Sequence, residues 1–236
     1  MTKTSILDTI AYFSTSKYFL RELKMGEQAA APKPTFTERM RVIMKGIVTP
    51  IVTFLNKIGV TPNVVTIVGL LGNVAAAVLI AMGYIPIGGL VALLAGACDG
   101  LDGSLARLRN EVSPWGAFVD SVTDRYSELI ILFGLLVYYE STGDGKMMIL
   151  VYVAAIGTVL VSYVKARAEG LGYTAKIGIL SRMERYLVLI PSLIFYIPWL
   201  AVWIFAIFAN ITAIQRIYAV RSQAYEKKES PTQPKS

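Results

Sequence analysis

The chain is expected to fold as an all-α membrane protein, six transmembrane helices preceded by an interfacial amphipathic helix, and three observations predict this. Of its 236 residues 55% are hydrophobic and only 17% charged, with a mean hydropathy of +0.56, far from an ordinary soluble domain. Apolar runs of about 20 residues, the length that crosses a bilayer, recur along it. Its basic residues collect at alternate ends of those runs, as they do when one side of each hairpin faces the cytoplasm.

In order along the chain, residues 1–34 form an N-terminal extension that declares no function and ends in a linker at 29–34. Its short apolar stretch, 10–13, is followed by Lys17, Arg21 and Lys24, which does not fit a cleavable signal. Over residues 36–58, Met40, Ile43, Ile47, Ile51, Phe54 and Leu55 recur at three- and four-residue spacing with Arg39, Lys45 and Lys57 largely off that stripe, the pattern of a helix lying in the membrane interface. The spans follow at about 64–82, 85–108, 114–139, 147–168, 186–197 with its flanks, and 199–217. The step at Pro198 divides the last two. Residues 35–221 therefore make one membrane domain, and 222–236 a polar tail.

Arg39, Arg41, Lys45 and Lys57 precede the first span, Arg107 and Arg109 end the second, Lys165 to Arg185 separate the fourth from the fifth, and Arg216 to Lys228 close the chain. The opposite loops carry only Lys146. Both termini are thus expected on the cytoplasmic side of the cell membrane. The net charge of +7 is spent beside the spans, which argues for a membrane surface or an anionic substrate and against nucleic acid.

Inside the second and third spans stand Asp99, Asp102, Asp120, Asp124 and Arg107. A charge at the centre of a membrane helix costs about 2.5–3.5 kcal/mol even on the lenient scale, so the cluster calls for compensating cations. Asp99 and Asp102 are three apart and Asp120 and Asp124 four apart, so each pair shares a helix face. An antiparallel hairpin turning near 111–113 sets Asp102 level with Asp120 and Asp99 level with Asp124, roughly 10–17 Å below the cytoplasmic helix ends at 1.5 Å per residue. With no histidine and a single cysteine, Cys98, neither histidine catalysis, a disulfide framework nor a cysteine zinc site is available. Carboxylates suit hard ions, Mg2+ or Mn2+, and two such ions cancel four carboxylates in a site fit for phosphates. Gly103 and Gly116 leave room for a ligand, and Arg107 offers a planar fork to a phosphate. A salt-bridge network of Arg107 and Arg125 with these acids falls short, two cations against four anions.

The run Asp99-Gly-Leu-Asp102-Gly103-Ser-Leu-Ala106-Arg107, then Gly116, Asp120 and Asp124, resembles the CDP-alcohol phosphotransferase signature at every defining position. The resemblance covers about 35–221 and implies six transmembrane helices after an interfacial one, commonly in a homodimer. It implies that Asp99, Asp102, Asp120 and Asp124 bind two divalent ions, with Asp124 also the base that activates an acceptor hydroxyl. Asn63 and Thr66, in the family's opening to the first helix, help hold metal or CDP, and Gly103, Arg107 and Gly116 cradle CDP. The implied donor is a CDP-diacylglycerol-type lipid, from which CMP is released.

Lys165, Arg167, Arg182, Arg185 and Arg216 gather cations at the depth of the acids, where a phosphorylated polyol would be held. The pattern resembles the inositol-phosphate-using branch of that family, which implies an acceptor phosphate pocket of Lys165, Arg167, Arg185 and Arg216, with Arg182 an alternative to Arg185. Lys165 and Arg167, two apart, do not share one face of an ideal helix. Glycerol 3-phosphate or another alcohol are the other acceptors, and the acyl or ether nature of the lipid stays open. A divalent-cation transporter would spread its acids across the bilayer, whereas these crowd one leaflet. Gly88, Ala92, Gly96, Gly100 and Ser104, small residues at every fourth position, read as a packing stripe or a dimer seam.

Overall fold

The computed structural model describes residues 36–229, and among them every regular element is helical. They are α1 (Phe36–Lys57), α2 (Pro62–Ala81), α3 (Ile85–Leu108), α4 (Pro114–Ser141), α5 (Gly145–Gly170), α6 (Arg182–Ile194), α7 (Pro198–Ile204), a π-helical turn (Phe205–Ala209) and α8 (Asn210–Glu229). The chain divides within α1 into a unit ending at Ile47 and one beginning at Val48. The extension 1–34 lies outside the described residues.

α1 forms where the amphipathic pattern places it, although the side chains of Met40, Ile43 and Ile47 lie outside the described residues. Of the expected stripe, Ile51 and Phe54 are exposed, while Val52 is buried with Val65 and Leu105. The face that packs is therefore Val48, Val52 and Leu55, which shares only Leu55 with the expected stripe. Proline opens α2, α3, α4 and α7, where its missing N–H costs nothing. Ser113 caps α4 by accepting the N–H of Gly116 at 3.0 Å.

Four helical stretches are long and apolar enough to cross a membrane: Pro62–Ala81, Ile85–Leu108, Gly145–Gly170 and Pro198–Glu226. The protein is membrane-integral. Two of the six expected spans do not meet that description, for different reasons. α4 has 28 residues but carries the charges of the candidate site, and α6 has only 13 residues, with Tyr196 in the left-handed region (φ 60°) just after it.

The hairpin expected between the two acid-bearing helices is the main departure in packing. α3 and α4 scarcely touch; each leans instead on α2, which lies between them. Small residues make this possible. A Cβ on Gly72 would stand 2.9 Å from that of Ala95 on α3, and one on Gly134 of α4 would stand 2.6 Å from the carbonyl oxygen of Ala77. The stripe on α3 is likewise absorbed in the bundle over part of its length: Gly88 meets Ile80, Ala92 is buried, and Gly96 receives the Tyr186 ring, whereas Gly100 faces open space.

The second half is built on α5. Gly157 admits Asn210, whose amide donates to Val153 on α5 (3.2 Å) and to Ala206 within the π turn (2.9 Å), so the carbonyl loosened by the wider turn is satisfied by a side chain. α8 continues past residue 221 to Glu229, because Gln223 is anchored to Thr174; 230–236 lie outside the described residues.

Candidate active site

α2 sets the depth of the acids. Thr66, in its first turns, donates to Asp102 Oδ2 at 2.5 Å, and the other Asp102 oxygen accepts the N–H of Gly103. Asp102 is 5% exposed and committed. Asp99 lies one turn deeper on α3, and Asp124 faces it from α4; both are largely buried, whereas Asp120 is exposed.

Asp99 and Asp124 share one cation. Arg182 Nη2 lies 2.9 Å from Asp99 Oδ2 and also contacts Asp124 Oδ1. That Asp124 oxygen is buried and receives no hydrogen bond of good geometry. The counter-charge on the acids is thus an arginine from α6, and not the Arg107 and Arg125 weighed from sequence. Arg107 donates to Ser104 Oγ at 3.0 Å, and Arg125 to the Ser121 carbonyl. Arg182 comes to the acids as the first residue of α6, whose start is set by Ser181 and by Glu184 accepting the Ser181 N–H.

The donor set is all carboxylate oxygen, with one deeply placed oxygen lacking a hydrogen bond, which suits a hard divalent ion. Among the described residues no three acidic or sulfur side chains converge closely enough to hold an ion while Arg182 bridges two of them. The residues therefore fit such ions in kind, and two of them are engaged by the guanidinium.

Beside the acids opens a cavity of about 390 Å3, within the range of small-molecule sites, whose wall includes Asp124, Lys165, Arg182, Arg185 and Arg216. Three of the four expected phosphate ligands are brought together there. The fourth, Arg167, is exposed and does not line it, as the two-residue offset from Lys165 requires. Arg185 is 1% exposed and held in a fork by Glu128, Nε to Oε1 at 2.5 Å and Nη2 to Oε2 at 2.9 Å, with Nη1 on the Leu180 carbonyl at 3.3 Å. Arg216 donates to the carbonyls of Ile177 (2.9 Å) and Val161 (2.7 Å). Arg182 and Arg185 thus both line the cavity, one exposed and one fixed.

Glu128 escapes the sequence reading. Its signal is present all the same, since Asp120, Asp124 and Glu128 follow one another at four-residue spacing on a single face of α4. Around the expected CDP contacts, a Cβ on Gly103 would find only Arg107 Nη1, at 3.6 Å, and one on Gly116 only its own capping Ser113, at 3.3 Å. Both positions are open, as a close ligand requires. Asn63 is exposed at the head of α2.

Residues 59–215 match the family model described as CDP-alcohol phosphatidyltransferase. The chain is 32% identical over 219 residues to a phosphatidylinositol phosphate synthase of Streptomyces avermitilis, across 84% of this chain and 89% of that one. It is 34% identical over 174 residues to an archaetidylinositol phosphate synthase of Pyrococcus horikoshii, across 72% and 88%. Among solved structures, Mycobacterium tuberculosis phosphatidylinositol phosphate synthase with CDP-DAG bound is similar with a TM-score of 0.68 at 32% identity, over 74% of this chain and 93% of that one. The same synthase in complex with manganese and citrate matches with a TM-score of 0.68 at 32% identity, over 74% and 89%.

Proposed function

The chain belongs to the CDP-alcohol phosphatidyltransferase family, and from that premise we propose that it transfers the phosphatidyl group of CDP-diacylglycerol to inositol 1-phosphate, releasing CMP. The observation that carries the acceptor is the cavity in which Lys165, Arg185 and Arg216 stand on the same wall as Asp124. An acceptor whose phosphate is held by those cations has its hydroxyl presented to a carboxylate.

In the proposed reaction Asp124 takes the proton of that hydroxyl. The oxygen then forms a bond to the β-phosphorus of the CDP-lipid, and the bond from that phosphorus to the CMP phosphate oxygen breaks, CMP carrying the electron pair away. Asp99, Asp102, Asp120 and Asp124 would hold the divalent ions, Mg2+ or Mn2+, which when bound stabilise charge on the diphosphate and on the leaving group. Thr66 supports that role by fixing Asp102 through its hydroxyl. Gly103, Gly116, Arg107 and Asn63 are assigned to CDP, supported by the open space at both glycines and the exposure of both side chains.

We assign six membrane spans, with α4 and α6 completing the four apolar ones, α1 in the interface, and both termini and the acids on the cytoplasmic side. The distribution of basic residues supports this orientation. A homodimer is proposed on the family resemblance. The transporter reading gains no support, because the acids crowd the end of the bundle where α2 begins and α3 ends.

The test is CMP release by the purified protein with CDP-diacylglycerol and Mg2+ or Mn2+, offering inositol 1-phosphate, glycerol 3-phosphate, inositol and serine separately. Release that depends on inositol 1-phosphate is expected. Release with another acceptor leaves the carboxylate assignment standing and removes the cationic one; release with none overturns the donor.

A further inference from the structure

One nitrogen of Arg182 serves two carboxylates that the ions must also use. Resting on the reading that the neighbouring cavity takes the acceptor's phosphate, we propose that Arg182 is a shuttling counter-charge. It holds Asp99 and Asp124 before the ions load and turns to the acceptor phosphate once they have, so that divalent ion and phosphate bind cooperatively.

Two other arginines of the cavity wall are not free to do this, and Lys165 pairs with Glu169 on its own helix at 3.9 Å. Arg185 and Arg216 are 1% and 5% exposed, the first gripped by Glu128 and the second by two backbone carbonyls. The Arg182 side chain is 52% exposed, and it stands at the boundary between the larger cavity and a small one of about 40 Å3 that Asp99 and Asp124 also line. Lining both cavities from an exposed position, it is placed to pass between them by a change of rotamer.

Charge supplies the driving force. Four carboxylates carry four negative charges, and without ions a buried pair of them needs a cation close by. Two divalent ions neutralise all four, after which a retained guanidinium is surplus and repelled. The guanidinium that meets both carboxylates through one nitrogen can present its planar fork to a phosphate. Because Arg182 cannot occupy both places, what releases it from the acids favours its capture by phosphate. By linkage phosphate must favour the ions to the same degree.

The experiment is a Mn2+ titration of the full-length protein in nanodiscs, read by the electron paramagnetic resonance of free Mn2+, for wild type, Arg182→Ala and Arg182→Lys. In the absence of acceptor, Arg182→Ala is expected to bind Mn2+ more tightly, by about fivefold or more, within the usual range of coupling between sites. Inositol 1-phosphate is expected to tighten Mn2+ binding in wild type and to have at most a small effect in Arg182→Ala, with Arg182→Lys between them. A purely structural bridge predicts the opposite pattern: lower thermal stability on truncation and no gain in Mn2+ affinity. Mn2+ affinity that is unchanged or weaker in both variants overturns the proposal, as does equal coupling to inositol 1-phosphate with and without Arg182. The arm without acceptor decides on Arg182 by itself; failure of inositol 1-phosphate to bind wild type at all would count against the acceptor assignment instead.

Discussion

Asp124 stands between the acids and the phosphate cavity, and its replacement separates chemistry from binding. Asp124→Asn is expected to lower turnover by at least about 100-fold, the low end of what a general base contributes. CDP-lipid binding should be retained, so CMP release checks the first half and direct binding of CDP-diacylglycerol to the variant checks the second. Among the cations the structure distinguishes wall from surroundings. Lys165→Ala is expected to raise the acceptor KM with little change in the donor KM, and Arg167→Ala to leave both within about twofold, read from initial rates. Glu128→Gln leaves the Arg185 guanidinium buried without its carboxylate, and breaking such a pair costs about 3–5 kcal/mol. A lower thermal midpoint together with a raised acceptor KM is the expected result. These residues differ in how plainly the sequence declares them. The aspartates stand out because charge is conspicuous in an apolar run. Arg182 does not, because its partnership depends on how α6 approaches α3 and α4, a contact more than 50 residues from either partner in sequence.

Helix boundaries follow from local chemistry, and so most are readable: a proline at the first turn, a serine cap, an apolar run of the right length. Packing between helices is another matter. Adjacency in sequence suggests that α3 and α4 pair, yet both lean on α2, because close approach is decided by where the side chains are small. The clue was spread over Gly69, Gly72, Ala76 and Ala77 on α2 and Gly134 on α4, and no single one of these stands out in a membrane helix rich in small residues. A matched pair of substitutions tests the point. Gly134→Ala drives a methyl into the Ala77 carbonyl and is expected to cost about 1–3 kcal/mol. Gly100→Ala meets nothing and is expected to hold or raise the thermal midpoint, by up to about 1 kcal/mol from helix propensity.

At the scale of the whole molecule the division of labour is between halves: α2 to α4 carry the acids, and α5 to α8 carry the phosphate-facing cations. Removal of divalent ions with EDTA is expected to abolish CMP release, and Mn2+ or Mg2+ to restore it, without unfolding the bundle as followed by circular dichroism. Within the second half, α5 and α6 are joined by a segment, residues 171–181, that has no regular secondary structure and is nevertheless fixed. Thr212 accepts the Leu180 N–H at 3.0 Å, Arg216 holds Ile177, and Gln223 brackets Thr174 by accepting its N–H at 2.9 Å and donating to its carbonyl at 2.6 Å. Spaced four and seven residues apart, the three anchors form one stripe along α8. The two loops that flank α5 are therefore unequal as places to engineer. An epitope or reporter spliced into the exposed turn at 142–145 disturbs a backbone that already bends through Gly143. The same insertion between Thr174 and Leu180 breaks the spacing that the three anchors share, and although that stretch looks like spare connecting chain, it should tolerate neither lengthening nor shortening by even one residue.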